Sequence, residues 1–247
     1  MSCFDLTFSR TYTNRLFILS VMIYTLTMLA VGQVCFADSV VRPSNPSGGN
    51  NVTLTESSYT VNGTTTEHDG TFYEFDAGFA EEGDASNNTI TVNGGNITTF
   101  LNGGYSRGNG NTNYNKVTVN GGTFGSWVEG GWATYGNAIG NQLTINGGTF
   151  NGIIDGGYTA VGDASSNILT INGGNFSSGA AIRGGIEQAS FGGYVASRGN
   201  ASANKVFING GNFNNNIYGG YTNNGQSSAN NVRIDGTPTI NGDIYGG

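Results

Sequence analysis

Two acidic residues occupy equivalent positions in successive copies of a repeated motif. Glu129 and Asp155 each stand directly before a Gly-Gly pair. If the copies stack as neighbouring strands, the two carboxylates lie about 5 Å apart on an outward face. That spacing is close to the separation of the two carboxyl groups in a retaining glycosidase. The same column holds Asp76, Asn102, Arg183, Tyr218 and Tyr245 in the other copies.

The surroundings of this acidic pair argue against catalysis. The copies have no long loop to wall a cleft, apart from a stretch at 186–193, and the adjoining positions are glycine. Asp155 has a structural partner available in Arg183, one copy later. We therefore predict no catalytic activity. A polysaccharide lyase or hydrolase that uses Glu129 and Asp155 is the alternative.

An aromatic column follows the Gly-Gly pairs and is a candidate binding surface. If it faces outward, its flat rings form a ribbon on which sugars or protein side chains could stack. If it faces inward, it belongs to the core, and the sequence leaves the two possibilities open. The candidate ribbon consists of Tyr105, Trp132, Tyr158, Tyr194 and Tyr221, with Phe79 in the first copy and Ile186 competing with Tyr194 for one position.

Other chemistry finds little support in the sequence. His68 is the single histidine, no Gly-x-Ser-x-Gly motif accompanies it, and we interpret it as a solvated turn residue. The stretch 67–84 carries seven acidic residues and no Lys or Arg. Oxygen-rich clusters can bind calcium, but neither an EF-hand loop nor a Gly-Gly-x-Gly-x-Asp repeat is present, so a charged solubilising cap is favoured. We predict no metal site and no cofactor.

A repeat with a period near 26 residues organises the chain. Its copies read like NQLTINGGTFNGIIDGG at 141–157, and a period of this size is typical of solenoids. The turn asparagines are Asn62, Asn93, Asn120, Asn146, Asn172 and Asn209, with Asp235 in the last copy. Apolar residues alternate with Thr before each turn, as in Leu143-Thr144-Ile145, which predicts half-buried strands.

The sequence therefore predicts an all-β parallel β-solenoid of about seven coils. Stacked copies place like residues side by side, and the aligned asparagines could chain their amides along the axis. A second such column consists of Asn88, Asn115, Asn141, Asn167, Asn204 and Asn230. Two alternatives stay open: asparagine that serves only as a turn former, and Asn-Gly hairpins that link antiparallel repeats.

The domain boundaries follow from composition. Residues 1–37 combine Arg10 and Arg15 with an apolar run at 16–31 and small residues before Asp38, which predicts a signal-peptide helix that is cleaved after Ala37. An uncleaved membrane anchor is the alternative. Residues 38–50 are interpreted as a linker and 51–247 as the solenoid, with an irregular first coil at 51–88, an insertion at 186–193 and a truncated last coil at 235–247.

The copies INGGTFNGIIDGGY and INGGNFNNNIYGGY resemble the passenger repeats of bacterial autotransporter-type surface proteins. The resemblance covers roughly residues 51–247. It implies a β-helix passenger at the outer membrane, followed by a C-terminal β-barrel. No barrel strands follow here and the chain stops within a copy, so we expect a fragment of a longer product.

The expected function is that of a secreted or cell-surface structural or adhesive solenoid. A self-assembling module that associates end to end is a further alternative. The net charge of −7 and the pI near 4.5 make nucleic acid an unsuitable partner. Host or cell-surface glycans or proteins are the expected partners. Membrane contact is expected only through the leader or a missing barrel.

Overall fold

The computed structural model describes residues 39–177, 182–183, 186–187 and 199–246. In this part of the chain the fold is an all-β parallel solenoid of about six turns, with a period of about 26 residues. No helix occurs among these residues, and hence none that is long and apolar enough to cross a membrane. The predicted leader, 1–37, and its helix lie outside the described residues.

The coils are built from four sheets, and the fourth begins only at Ala138. The strands of sheet 1 are Asn51–Leu54, Ser58–Val61, Thr64–Glu67, Thr89–Val92, Lys116–Val119, Gln142–Ile145, Ile168–Ile171, Lys205–Ile208 and Asn231–Ile234. Those of sheet 2 are Ser39–Val41, Thr71–Asp76, Asn96–Asn102, Thr123–Phe124, Trp127–Glu129, Thr149–Phe150, Ile154–Asp155, Asn175–Phe176, Ile182–Arg183, Asn212–Phe213, Ile217–Tyr218, Thr239–Ile240 and Ile244–Tyr245.

Two short sheets complete the coil. The strands of sheet 3 are Phe79–Ala80, Tyr105–Ser106, Trp132–Ala133, Tyr158–Thr159, Ile186–Glu187 and Tyr221–Thr222. Those of sheet 4 are Ala138–Ile139, Ala164–Ser165, Ala201–Ser202 and Ser227–Ser228. Coil-to-coil pairing is parallel in all four sheets, which confirms the parallel solenoid. Antiparallel pairing occurs in the described residues only among three successive strands, Asn51–Leu54, Ser58–Val61 and Thr64–Glu67.

The main core consists of stacked columns of like side chains. Leu143, for example, pairs in register with Val117 on one side and Leu169 on the other, and all three are at most 1% exposed. The next column is aromatic, and its rings stack nearly parallel with centroids 4.6–4.9 Å apart, at Phe124, Phe150, Phe176 and Phe213. Stacking at the strand spacing lets each ring bury its faces against its neighbours.

The predicted amide column forms a continuous hydrogen-bonded ladder, which we call the buried ladder: Asn88, Asn115, Asn141, Asn167, Asn204 and Asn230. Each Nδ2 donates to the Oδ1 of the next asparagine at 2.9–3.2 Å. The first five members are fully buried. The neighbouring Gly-Gly corner makes room for them, since a Cβ at Gly157 would lie 2.6 Å from the amide of Asn167.

The turn asparagines form a second ladder at the surface. In this exposed ladder each Nδ2 donates 2.8 Å to the preceding Oδ1, through Asn93, Asn120, Asn146, Asn172 and Asn209. A third row, which the sequence analysis missed, links backbone N–H groups to side-chain oxygens at 2.7–2.9 Å through Asp84, Asn111, Asn137, Asp163 and Asn200. Asparagine is therefore more than a turn former here.

The prediction that Asn62 is the turn asparagine of the first repeat copy is wrong. The first strand of that column is Asn51–Leu54, which pairs in parallel with Thr89–Val92. Ser58–Val61 and Thr64–Glu67 form an antiparallel hairpin on its outer edge. Asn62 and Gly63 both have positive φ, 50° and 86°, which is the requirement of a two-residue type I′ turn. The alternative hairpin interpretation thus holds at this one place.

Residues 39–50 also differ from the predicted linker. Ser39–Val41 pairs in parallel with Thr71–Asp76, and Ser44 bridges to Phe79. Asn50 is 4% exposed and joins the segment to the buried ladder, because its N–H donates 2.7 Å to Oδ1 of Asn88. We call this segment the strap. The pairing of the strap adds a partial coil at the N-terminal end. The sequence did not predict this coil, because the strap lacks the repeat periodicity.

The predicted insertion begins later than position 186. Ile186–Glu187 is a regular strand of sheet 3, in register with Tyr158–Thr159 and Tyr221–Thr222. The β-branched Ile186 suits a strand, so it holds the position for which Tyr194 was the other candidate. Residues 188–198, including Tyr194, lie outside the described part of the chain.

Candidate functional site

The acidic column has the register that the sequence predicts. Asp76 pairs with Asn102, Asn102 with Glu129, Glu129 with Asp155, and Asp155 with Arg183. We call this set the carboxyl column. It runs along sheet 2 immediately before the Gly-Gly corner, so each carboxyl group stands one strand spacing from the next residue of the column.

The expectation that Glu129 and Asp155 face outward into solvent is wrong, because their exposures are 0% and 1%. Side chains alternate along a strand, so Glu129 lies on the opposite face from Val128, which belongs to the main core. That outer face carries a second apolar layer. The period-2 pattern thus identified the correct face of the strand but not the layer that covers it.

This second layer is the aromatic cluster. Its buried members are Tyr105, Trp132 and Tyr158, with 9%, 9% and 1% exposure, packed against the partly buried Phe79, Phe100, Trp127 and Ala160. The rings of Tyr105 and Trp132 stack at 4.5 Å. Most of the proposed sugar-binding ribbon is therefore neither an exposed surface nor part of the main core.

Two positions of that ribbon stand apart. Tyr221 is 36% exposed, so it keeps a face toward solvent. Tyr194 falls outside the described residues. The partly exposed rings of this surface also include Phe100 and Trp127, whose centroids lie 5.5 Å apart. Each stands two residues before a member of the carboxyl column, a spacing that could have placed them on the same face from sequence.

Arg42, in the strap, is a further residue that the sequence analysis missed. Its Nη2 lies 2.6 Å from Oε2 of Glu74, and its Nε lies 3.1 Å from Oδ2 of Asp76. Its guanidinium group also stands over the rings of Phe79 and Tyr105, 5.0 and 5.5 Å from their centroids. Arg42 therefore joins the strap to the carboxyl column and to the aromatic cluster.

Asp76 is the most perturbed group of this cluster. Burial, and after it the charge of Glu74, raise its pKa from the ordinary value of 3.8 to about 8. Hydrogen bonds from Asn102, at 2.7 Å, and from Arg42 oppose that rise. The buried site therefore favours the protonated form of the Asp76 carboxyl group.

His68 is not the solvated turn residue that we expected. Its ring stacks on Phe72 with 4.2 Å between centroids, and Nδ1 lies 3.0 Å from Oδ1 of Asp69. Its side chain is 18% exposed. The ring thus extends the packing of the main core at the hairpin end.

The acidic stretch 67–84 divides into two environments. Glu74 and Asp76 are buried, whereas Glu81, Glu82 and Asp84 are exposed. Within the described ranges, no three His, Cys, Asp or Glu side chains lie close enough together to hold a metal ion. A solubilising role therefore fits only the exposed members.

A shallow groove of about 420 Å³ lies beside the hairpin. It is lined by Glu56, Asp69, Gly70, Thr71, Gly95, Asn96, Gly122 and Thr123. Hydroxyl, amide and carboxyl groups surround an open floor of glycine, so the groove offers hydrogen bonds and little apolar contact.

Comparison of the chain with family models, curated proteins and solved structures finds no match.

Proposed function

We propose that this chain is a non-catalytic solenoid scaffold that is exported and holds repetitive faces away from the cell. The observation that carries this proposal is the buried ladder, which links successive coils from Asn88 to Asn230. Paired amides of this kind stabilise one fixed stacking of the coils. A rigid stack of coils suits a structural or adhesive role.

The environment of the carboxyl column supports the absence of catalysis. Glu129 and Asp155 are buried, and a sugar ring needs open space beside both carboxyl groups of a glycosidase. We therefore assign these residues a structural role and interpret the lyase or hydrolase alternative as the less favoured one.

The leader pattern at 1–37 and the lack of cysteine after Ala37 support export. Together with the parallel solenoid, they are consistent with a passenger of the autotransporter type at the bacterial surface. The partners of such a passenger are glycans or proteins of a host or neighbouring cell. The partly exposed Phe100 and Trp127 are the residues that we assign to contact with such a partner.

Export is tested by expressing the full chain in a Gram-negative host. We expect a protein whose intact mass begins at Asp38 and which is recovered outside the cytoplasm, in the periplasmic or extracellular fraction. Retention of the uncleaved chain inside the cell contradicts the proposal. A matched control carries charged residues in the apolar run 16–31, which blocks export without altering the solenoid.

One panel of acidic and neutral polysaccharides, assayed for binding and for released product, distinguishes a binding protein from an enzyme. We expect saturable binding to a surface glycan or protein, no released product, and weaker binding after Trp127→Ala than after Tyr114→Ala, an exposed tyrosine elsewhere. Product that wild type forms and that both Glu129→Gln and Asp155→Asn abolish overturns the proposal.

A further inference from the structure

The strap covers the N-terminal edges of two sheets. Ser39–Val41 pairs with the sheet 2 strand Thr71–Asp76. In sheet 3, Phe79 donates its N–H to O of Pro43 at 2.8 Å and accepts from N–H of Asn45 at 3.0 Å. Both edges would otherwise present unpaired N–H and C=O groups.

One side chain ties the strap to the buried charges beneath it. Arg42 is the only cation of the strap, and it contacts two carboxyl groups, Glu74 and Asp76. Asp76 is fully buried and Glu74 is 4% exposed, whereas the side chain of Arg42 is 32% exposed. Two carboxylates against one guanidinium leave a surplus negative charge in a buried site, unless one carboxyl group carries a proton.

We propose that the strap is a proton-controlled latch: it stays closed while the Glu74–Asp76 pair holds one proton, and it opens when that proton leaves.

The direction follows from proton linkage. With the strap closed, burial and Glu74 hold the pKa of Asp76 near 8. An open strap admits water to Asp76, so its pKa falls toward the ordinary value. The closed form therefore binds the proton more tightly. As the pH rises from the open-state pKa toward 8, the ratio of open to closed forms increases about tenfold per pH unit.

Other charged groups around Asp76 modify this balance without reversing it. Arg42 favours the charged carboxylate from the strap, and Asn102 donates to it from the next coil. Burial also raises the pKa of Tyr105, in sheet 3, so the hydroxyl of Tyr105 stays neutral between pH 5 and pH 9. Glu129 follows Asn102 in the column and is the next ionisable group on the same side.

Opening would uncover backbone groups that can bind another strand. The freed edges are those of Thr71–Asp76 and Phe79–Ala80, which pair in parallel with the strap. An exposed parallel edge of this length is a site for strand addition. The latch therefore couples pH to the availability of the N-terminal end.

A nitroxide at Ser44→Cys, in the full chain with Cys3→Ser and Cys35→Ser, reports on the strap, because Ser44 is exposed but its backbone bridges to Phe79. Electron paramagnetic resonance between pH 5 and pH 9 should reveal an immobile label at low pH. The mobile component should grow at least about tenfold between pH 6 and pH 8. Reclosure on returning to pH 6 is part of the expected result.

Asp76→Asn keeps the size and the hydrogen bond to Asn102 but cannot ionise, so its strap should stay closed at every pH. Glu74→Gln is the second test variant, and it should also suppress opening. Glu82→Gln removes an exposed carboxylate of the same stretch and should open like wild type. A wild-type label that stays immobile up to pH 9, or equal opening in wild type, Asp76→Asn and Glu74→Gln, overturns the proposal.

Discussion

The buried ladder and the carboxyl column stack with the same coil-to-coil register, yet their buried polar groups find hydrogen-bond partners in different ways. An amide carries both a donor and an acceptor, so Asn141 accepts from Asn115 and donates to Asn167 in an unbroken chain. An ionised carboxyl group only accepts, so Asp76 relies on Asn102 and Arg42 for donors. Repetition along a solenoid therefore favours amides and leaves carboxyl groups dependent on other residues.

The largest expected effect comes from interrupting the buried ladder. Asn141→Leu removes the amide that donates 2.7 Å to O of Thr112 and links two neighbouring asparagines. Several buried polar groups then lack partners, so the free energy of unfolding should fall by about 3–5 kcal/mol. Urea unfolding measures it. Asn146→Leu in the exposed ladder is the control, and an equal loss there would refute the role of burial.

The carboxyl column should respond next most strongly to loss of its cation. Arg42→Met leaves Glu74 and Asp76 buried without a guanidinium group, which should cost about 2–3 kcal/mol at pH 8 and less at pH 5. Arg107→Met removes an exposed ion pair with Glu81, 3.1 Å long, and should cost less than about 0.5 kcal/mol. Thermal unfolding at both pH values distinguishes them, and equal losses contradict the account.

A smaller effect is the pH dependence of stability. Because the folded pKa of Asp76 is raised to about 8, the folded state binds a proton that the unfolded state releases above its ordinary pKa. This contribution to stability is therefore complete below about pH 4 and is lost as the pH rises toward 8. Wild type should lose at least about 1 kcal/mol between pH 5 and pH 8. Glu82→Gln should retain this slope and Asp76→Asn should flatten it.

The smallest expected effect concerns the exposed ladder. Asn146→Ala breaks two 2.8 Å hydrogen bonds, to Asn120 and from Asn172, but water replaces them. The expected loss is about 0.5–1 kcal/mol. A loss as large as that of Asn141→Leu would mean that both ladders stabilise the coils by the same means.

Repetition explains how much of the fold could be predicted from sequence. Residues such as Leu143, Phe150 and Asn141 recur with one period, so the sequence predicts their columns, their register and the buried ladder. The hairpin misled the prediction because Thr60-Val61-Asn62-Gly63 copies the Thr-Val-Asn-Gly of a regular turn at 91–94. Thr64 stands where the regular turn has Gly95, whose φ is 103°.

The candidate site was only partly predictable. Alternation indicates that Glu129 and Val128 lie on opposite faces, but it does not indicate that Glu129 is buried. The contact of Arg42 with Asp76 joins residues 34 positions apart in a segment without periodicity. Such contacts arise from tertiary packing, which a repeat pattern does not encode.

The most direct test places a carboxyl group in the buried ladder and an amide in the carboxyl column. At pH 8 in urea, Asn141→Asp should lower the free energy of unfolding by more than about 3 kcal/mol, because it puts a charge into the buried ladder and removes its donor. Asp76→Asn should raise it, because an amide replaces a carboxyl group that burial disfavours in its charged form. Changes of opposite sign support the account. Changes of the same sign and similar size would contradict it.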